Sequence, residues 1–252
     1  MMSRIIIASI LLVLASPAQA QSPETLRVFD EGNAALLDGQ FREAIAAYRS
    51  VEAEGWGSAS LYYNMGLAYY RMDELGQAIR YLEKAKRLDR DDERIEHSLS
   101  VAERRRQDRF SQLPQPFWKT MQGWLVDLVP IRFAFFLGLL GWFGFAAAWV
   151  HASLTGFDTP SRAQVRRIAL VVGGLLLIHA LASSIWPPRA PQAVILAPVV
   201  ELREQASDGA DVVQTIHEGL VVARHSQAGD WTLVEIPNGT RGWMASSSLG
   251  DI

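Results

Sequence analysis

Tyr62-Tyr63-Asn64-Met65-Gly66-Leu67-Ala68-Tyr69-Tyr70 sets one glycine inside an aromatic, helix-forming run. Ala78 follows Gly66 by twelve residues and Leu82 by sixteen, and thirty-four residues earlier Gly32, Ala44 and Tyr48 stand at the same offsets. A period of that length marks helix-pair repeats, whose units bury their apolar faces only by stacking on a neighbour. Gly32 and Gly66 fall where the two helices of a unit approach, and Ala44 and Ala78 fill the other side of that contact. A larger side chain there would pry the pair apart. Asp38-Gly39-Gln40 and Asp73-Glu74-Leu75 occupy the turns between helices. Gly39 is able to take the left-handed conformation that ends a helix; the second unit has no glycine there, so a tighter turn with an acidic cap is expected.

The two units resemble tetratricopeptide repeats. A repeat array needs a closing element with a polar outer face. Ile95, Leu99 and Ala102 form one stripe of a third helix, with Glu93, Arg94, Glu96, Glu103 and Arg104 on its outside and Asp91 or Asp92 as N-cap. The array therefore spans residues 22–112, as two units plus a capping helix. In solenoids of this kind the first helix of each unit lines the inner face. That rule makes Phe29, Asn33 and Leu37, then Tyr63, Asn64, Tyr70 and Arg71, then His97 and Arg104 the candidate partner-binding residues. Asn amides suit an extended peptide backbone, and Arg71 or Arg104 suits a carboxylate. Leu36 and Leu67 more simply complete the core.

Residues 1–20 read as a secretory signal: Arg4, an apolar run from Ile5 to Ala15, and the small-x-small site Ala18-Gln19-Ala20. Two longer apolar stretches, within 133–152 and 168–186, match the length that crosses hydrocarbon. Gly138, Gly141 and Gly144 in the first and Gly173-Gly174 in the second offer faces for close packing as a hairpin. The connecting segment 153–167 carries Arg162, Arg166 and Arg167 against Asp158, which assigns it to the cytoplasm and the flanking domains to the periplasm. Segment 113–132, with Phe117, Trp118, Met121, Trp124, Leu125 and Leu128 at helical spacing, reads as an amphipathic helix in the lipid interface.

After a linker at 187–192 the chain changes to short β-branched runs separated by Asp208-Gly209, Glu218-Gly219, Gly229-Asp230 and Pro237-Asn238-Gly239. Residues 193–252 thus read as a small β-barrel. The first strand Val-Glu-Leu-Arg (200–203), Gly229-Asp230-Trp231 and the run Asn238 to Met244 resemble the bacterial SH3-like fold. Trp231 and Trp243 sit at strand ends, where they pack the rim or line a shallow ligand groove. The fold class is thus multidomain: an α-solenoid, a two-helix transmembrane hairpin and an SH3-like β-barrel.

Catalytic signatures are lacking. The five histidines never pair at metal-ligand spacing, and neither a phosphate-cradling glycine loop nor a nucleophile elbow occurs. His179 lies within the second span, where a hydrogen bond to a neighbouring helix is the common use of a polar ring. The chain contains no cysteine, so neither disulfides nor thiol chemistry serve an exported form. Residues 22–112 hold fourteen basic and seventeen acidic side chains and residues 193–252 three and eight, which argues against a nucleic-acid partner. No enzyme activity, cofactor or metal is expected.

The order of parts, together with Tyr62 to Tyr70 and Leu88 to Leu99, is similar to the BatE-type proteins of bacterial aerotolerance operons. That resemblance implies a membrane-anchored envelope scaffold working with von Willebrand factor A-type membrane proteins and a MoxR-type ATPase. It implies no catalytic residues. Protein or peptide partners, membrane lipid and, as an alternative for the barrel, peptidoglycan are the expected ligands.

Overall fold

Helix α1 (Pro23–Leu37) starts where Ser22 Oγ accepts the Thr25 amide at 3.0 Å and Pro23 supplies a ready-made helical φ. The computed structural model describes residues 22–110, 116–156, 159–185 and 190–252, so the signal segment 1–20 and the first half of the linker 187–192 lie outside the described residues. Four more helices follow in the array: α2 (Phe41–Ala53), α3 (Ala59–Arg71), α4 (Leu75–Leu88) and α5 (Glu93–Arg104). Ser58 caps α3 through the Leu61 amide at 3.1 Å, and Asp92 caps α5 through the Arg94 amide at 2.8 Å. Contact with the Arg94 guanidinium and amide holds the Asp92 carboxyl down at about 2.

The thirty-four-residue period has a direct packing counterpart. A β-carbon on Gly32 would come within 2.6 Å of the Tyr48 ring, and one on Gly66 within 2.7 Å of Leu82 Cγ. Ala44, Tyr48, Leu61, Met65, Tyr69 and Ala78 are buried in the core around these crossings. The second turn is not tighter than the first. Three residues separate the helices in both units, and Asp73 itself adopts φ +65° where Gly39 has +76°. Asp is one of the few side chains that tolerates this region, because its short carboxylate bonds locally. Here it also pairs with Arg105 of the following turn.

The C-terminal residues form seven antiparallel strands in one sheet: β1 (Gln192–Ile195), β2 (Val199–Arg203), β3 (Val212–His217), β4 (Val221–Ala228), β5 (Trp231–Glu235), β6 (Arg241–Ala245) and β7 (Leu249–Asp251). Their order is β3-β2-β6-β5-β4-β1-β7. Alternate residues such as Val200, Leu202, Val234, Ile236 and Met244 point into a single apolar core, as a half-buried pleat requires.

The β domain packs on the array. Val194 of β1 shares a buried cluster with Leu75, Ile79 and Leu82 of α4 and Leu99 and Ala102 of α5. Polar contacts rim this cluster: Glu218 Oε2 accepts the Gly76 amide at 3.1 Å, and Arg80 Nε donates to the Asp251 carbonyl at 2.9 Å. Arg87 donates to the Ile252 carbonyl at 2.6 Å and to Gln192 Oε1 at 3.1 Å. Beyond α5, Asp108 accepts both the His217 amide at 2.6 Å and the His217 ring at 3.1 Å, and Phe110 packs on the β-domain core. Two glycines permit the close approach. A β-carbon on Gly76 would meet the Ile195 carbonyl at 2.8 Å, and one on Gly219 would meet Ile79 at 2.8 Å.

Residues 112–191 make a second unit. It contains α6 (Phe117–Leu128), α7 (Ile131–Thr155) and α8 (Pro160–Ile185). The last two are long and apolar enough to cross a membrane. They pack through glycine: a β-carbon on Gly141 would lie 3.2 Å from Gly173 Cα, and one on Gly138 3.1 Å from the Gly173 carbonyl. Gly144 and Gly174 take no part in this crossing, having nothing within 4 Å of that position. Both helices are longer than the apolar runs themselves. Pro160 opens α8, so Arg162, Arg166 and Arg167 lie on its first turns rather than in a long loop. His179 Nε2 lies 3.3 Å from the Val129 carbonyl at the end of α6, the neighbouring-helix bond expected of it.

Candidate functional site

Helices α1, α3 and α5 follow one another across one face of the array, and the β domain rests on α4 behind them. The candidate groove is therefore left uncovered by the chain's own C-terminal domain. Its centre is a hydrogen-bonded set. Asn33 Oδ1 accepts from Asn64 Nδ2 at 2.8 Å and from Tyr48 Oη at 2.9 Å, linking the first helices of both units. The two amides that suit a peptide backbone are thus engaged with each other. Burial pushes the Tyr48 phenol up to about 12, so it stays a donor throughout the physiological range.

Phe29 turns toward the repeat interior, with its ring centroid 5.1 Å from Trp56 and 5.9 Å from Tyr48. Leu37, by contrast, is 88% exposed at the end of α1, and Arg71 and His97 are exposed on α3 and α5. Tyr63 and Tyr70 are half-buried, and each carries a cation over its ring: Arg94 at 5.8 Å and Arg105 at 5.1 Å. Arg104 bonds back to the Ser100 carbonyl and hydroxyl at 3.2 Å. With Arg106 and Arg109 it borders a recess of about 540 Å³ at the end of α5. Glu103 also lines that recess and pairs with Arg106 at 3.5 Å, while Arg109 donates to the Arg104 carbonyl at 3.1 Å. The face as a whole combines exposed apolar and cationic groups, a combination that suits an extended segment bearing acidic side chains.

Trp231 and Trp243 are half-buried on β5 and β6, away from the strands that meet α4. Trp243 stands opposite Leu233 on one side and Arg203 on the other, so an arginine, an indole and a leucine form a row across three strands. Arg203 is fixed there by the Asp208 and Ala210 carbonyls at 2.6 and 2.8 Å and by Glu201 at 2.6 Å.

Residues 59–92, the whole second helix pair, match the tetratricopeptide repeat family, and residues 198–250 match the bacterial SH3 domain family. The chain carries a tetratricopeptide-repeat region and a C-terminal bacterial SH3 domain. The first helix pair repeats the same glycine packing one period earlier. A search of curated proteins gave no match. Repeats and SH3 domain together suggest a protein-binding scaffold. Sequence reasoning missed the docking residues between them, notably Gly76, Arg80 and Arg87 of α4, Asp108, and Glu218 of the SH3-like domain. Each reads as an ordinary turn or solvated charge until its distant partner is known.

Proposed function

We propose that the protein is a non-enzymatic, membrane-anchored scaffold of the bacterial envelope. The repeat array captures a segment of a protein partner, and the two apolar helices tether it to the inner membrane. The observation that carries this reading is the placement of the SH3-like domain on α4, which braces the array and leaves the faces of α1, α3 and α5 open. A rigid receptor loses little entropy when a partner binds. The shared core also supports a particular topology. Array and SH3-like domain pack as one unit, which supports a reading in which the chain between them leaves and returns on one side of the bilayer. The arginines at 162, 166 and 167 favour the cytoplasm for the turn between α7 and α8, and the leading segment favours export of the rest.

In keeping with the similarity to BatE-type proteins, the partners we infer are von Willebrand factor A-type membrane proteins acting with a MoxR-type ATPase. Crosslinking followed by co-purification of the tagged full chain tests this. Leu37→Asp combined with Arg71→Ala should abolish recovery of the partner while leaving the protein folded. Undiminished recovery would contradict the groove.

A second reading makes the SH3-like domain a cell-wall sensor, and the Arg203, Trp243, Leu233 row favours it because indole and guanidinium faces suit sugar and peptide stems. Retention of the full chain on purified peptidoglycan, lost on Trp243→Ala, is the expected result under that reading. Absence of retention removes it.

A further inference from the structure

Helix α6 carries a stripe that the scaffold reading leaves without a role. Phe117, Met121, Trp124 and Leu128 recur at helical spacing, so they line one side of the helix. All four are exposed, from 52% at Met121 to 80% at Phe117. Gln122, Gly123, Leu125 and Val126, around the other side, are half-buried. A helix of twelve residues is about 18 Å long, too short to cross hydrocarbon. Pro130 keeps α6 from running on into α7: its ring disfavours helical backbone at the residue before it, and Val129 turns to φ −129°, ψ 93°.

Two observations say what covers this stripe. The first is continuity. Phe133, Phe136 and Leu137, at the start of α7, are exposed in the same way and belong to a helix long and apolar enough to cross a membrane. Only Val129 and Pro130 separate that helix from α6. The second is a clamp. The Val129 carbonyl, at a helix end where no further turn can satisfy it, accepts from His179 Nε2 at 3.3 Å. His179 lies two turns before the end of α8, so the C-terminal end of α6 is tied near the end of that helix as well. Large aromatic and aliphatic groups along one side of a short helix at that level suit the boundary between acyl chains and headgroups, where an indole keeps its ring apolar and its N–H wet. We propose that α6 lies in the plane of the bilayer surface, its Phe117, Met121, Trp124 and Leu128 stripe sunk at that boundary and its C-terminal end clamped to the second span by His179. The proposal rests on reading α7 and α8 as spans. Its consequence is that the chain grips one leaflet by a surface helix as well as crossing the bilayer twice.

The natural chain has no cysteine, so one introduced thiol carries one nitroxide label. The full chain, labelled in turn at Phe117→Cys, Met121→Cys, Trp124→Cys and Leu128→Cys, is reconstituted into vesicles of phosphatidylethanolamine and phosphatidylglycerol. Electron paramagnetic resonance then measures collisions of each label with oxygen, which concentrates in lipid, and with a neutral nickel chelate, which stays in water. The expected oxygen-to-nickel ratio on the stripe is roughly threefold or more above that of Thr120→Cys, an exposed position off the stripe, at a depth of about 5–10 Å. Stripe labels that collide freely with nickel would put this face in water, and labels shielded from both agents would put it against protein, a second copy included; either result overturns the proposal. Leu140→Cys, exposed on α7, is the control for the spans and should read deeper than any stripe position. A wet label there would fail the span reading itself, whereas a deep label there beside a wet or shielded stripe would fail α6 alone. Adding His179→Leu to Leu128→Cys should move that label toward the surface, a shift that His179→Gln, which keeps a donor, should spare. Equal depths with all three residues at 179 would overturn the clamp.

Discussion

Gly66 lies so close to Leu82 that a β-carbon on the glycine would come within 2.7 Å of Leu82 Cγ and 3.2 Å of its backbone nitrogen. The same offset joins Gly32 to Tyr48. The period in the sequence is therefore the period of a steric contact. Gly66→Ala gains up to about 1 kcal/mol of helix propensity, whereas overpacking a tight contact costs about 1–3 kcal/mol, so net destabilisation is expected. On a Leu82→Ala background the contact is gone, and Gly66→Ala should become stabilising. Denaturant titration of the four proteins in this double-mutant cycle checks the reversal of sign.

Ile79 sits in the cluster shared by α4, α5 and Val194. Truncation to alanine should cost about 2–4 kcal/mol and should loosen the array and the SH3-like domain together. Hydrogen exchange followed by mass spectrometry reads both: protection should fall in the peptides covering α4 and in those covering β1. Loss confined to α4 would mean that the two domains are not energetically joined.

Tyr48 and Tyr81 are both pushed up to about 12 by burial, and the carboxylate of Glu52 adds to the effect at Tyr81. A phenol whose folded value is raised binds its proton more tightly folded than unfolded. Its stabilisation is complete below about pH 10 and is lost as pH rises toward about 12. Alkaline titration of the full chain in detergent should show helicity falling in that window, together with the tyrosinate absorbance of buried residues. Tyr48→Phe and Tyr81→Phe should each flatten the slope.

Asp73 holds φ +65° at the place where the first unit has Gly39. Asp73→Gly relieves the backbone and loses an exposed pair with Arg105, effects that should cancel to within about 0.5 kcal/mol. Asp73→Ala keeps the strain and loses the local polar contacts, and should cost about 1–2 kcal/mol. Thermal denaturation of the two variants side by side makes the comparison.

Much of the fold was legible because its determinants are local. Gly32, Gly66, Ala44 and Ala78 report a helix crossing through spacing alone, and the β-branched runs between Gly219, Gly229 and Gly239 report strands. The turn at Asp73 is hard to read locally, because propensity favours glycine there while an aspartate also tolerates the geometry. Arg162, Arg166 and Arg167 look like loop in the sequence because their charge obscures a helix that Pro160 begins. The candidate groove was legible only as a face. Nothing in spacing distinguishes an outward Asn33 from one bonded to Asn64 and Tyr48, and nothing local announces that Phe29 turns toward Trp56. Least legible was the docking of the SH3-like domain, since Gly76 and Glu218 meet across 142 residues and depend on a complementary shape rather than a pattern.

The absence of cysteine makes one experiment especially clean, because any single introduced thiol is the only one present. Asp38→Cys in the array, Ser247→Cys in the SH3-like domain and Ser161→Cys at the hairpin turn are all exposed positions. A membrane-impermeant maleimide applied to intact spheroplasts should label positions 38 and 247 and should reach 161 only after the membrane is opened. Labelling of 38 and 247 from opposite sides of the bilayer would contradict a scaffold in which repeats and SH3-like domain act as one body outside the cytoplasm.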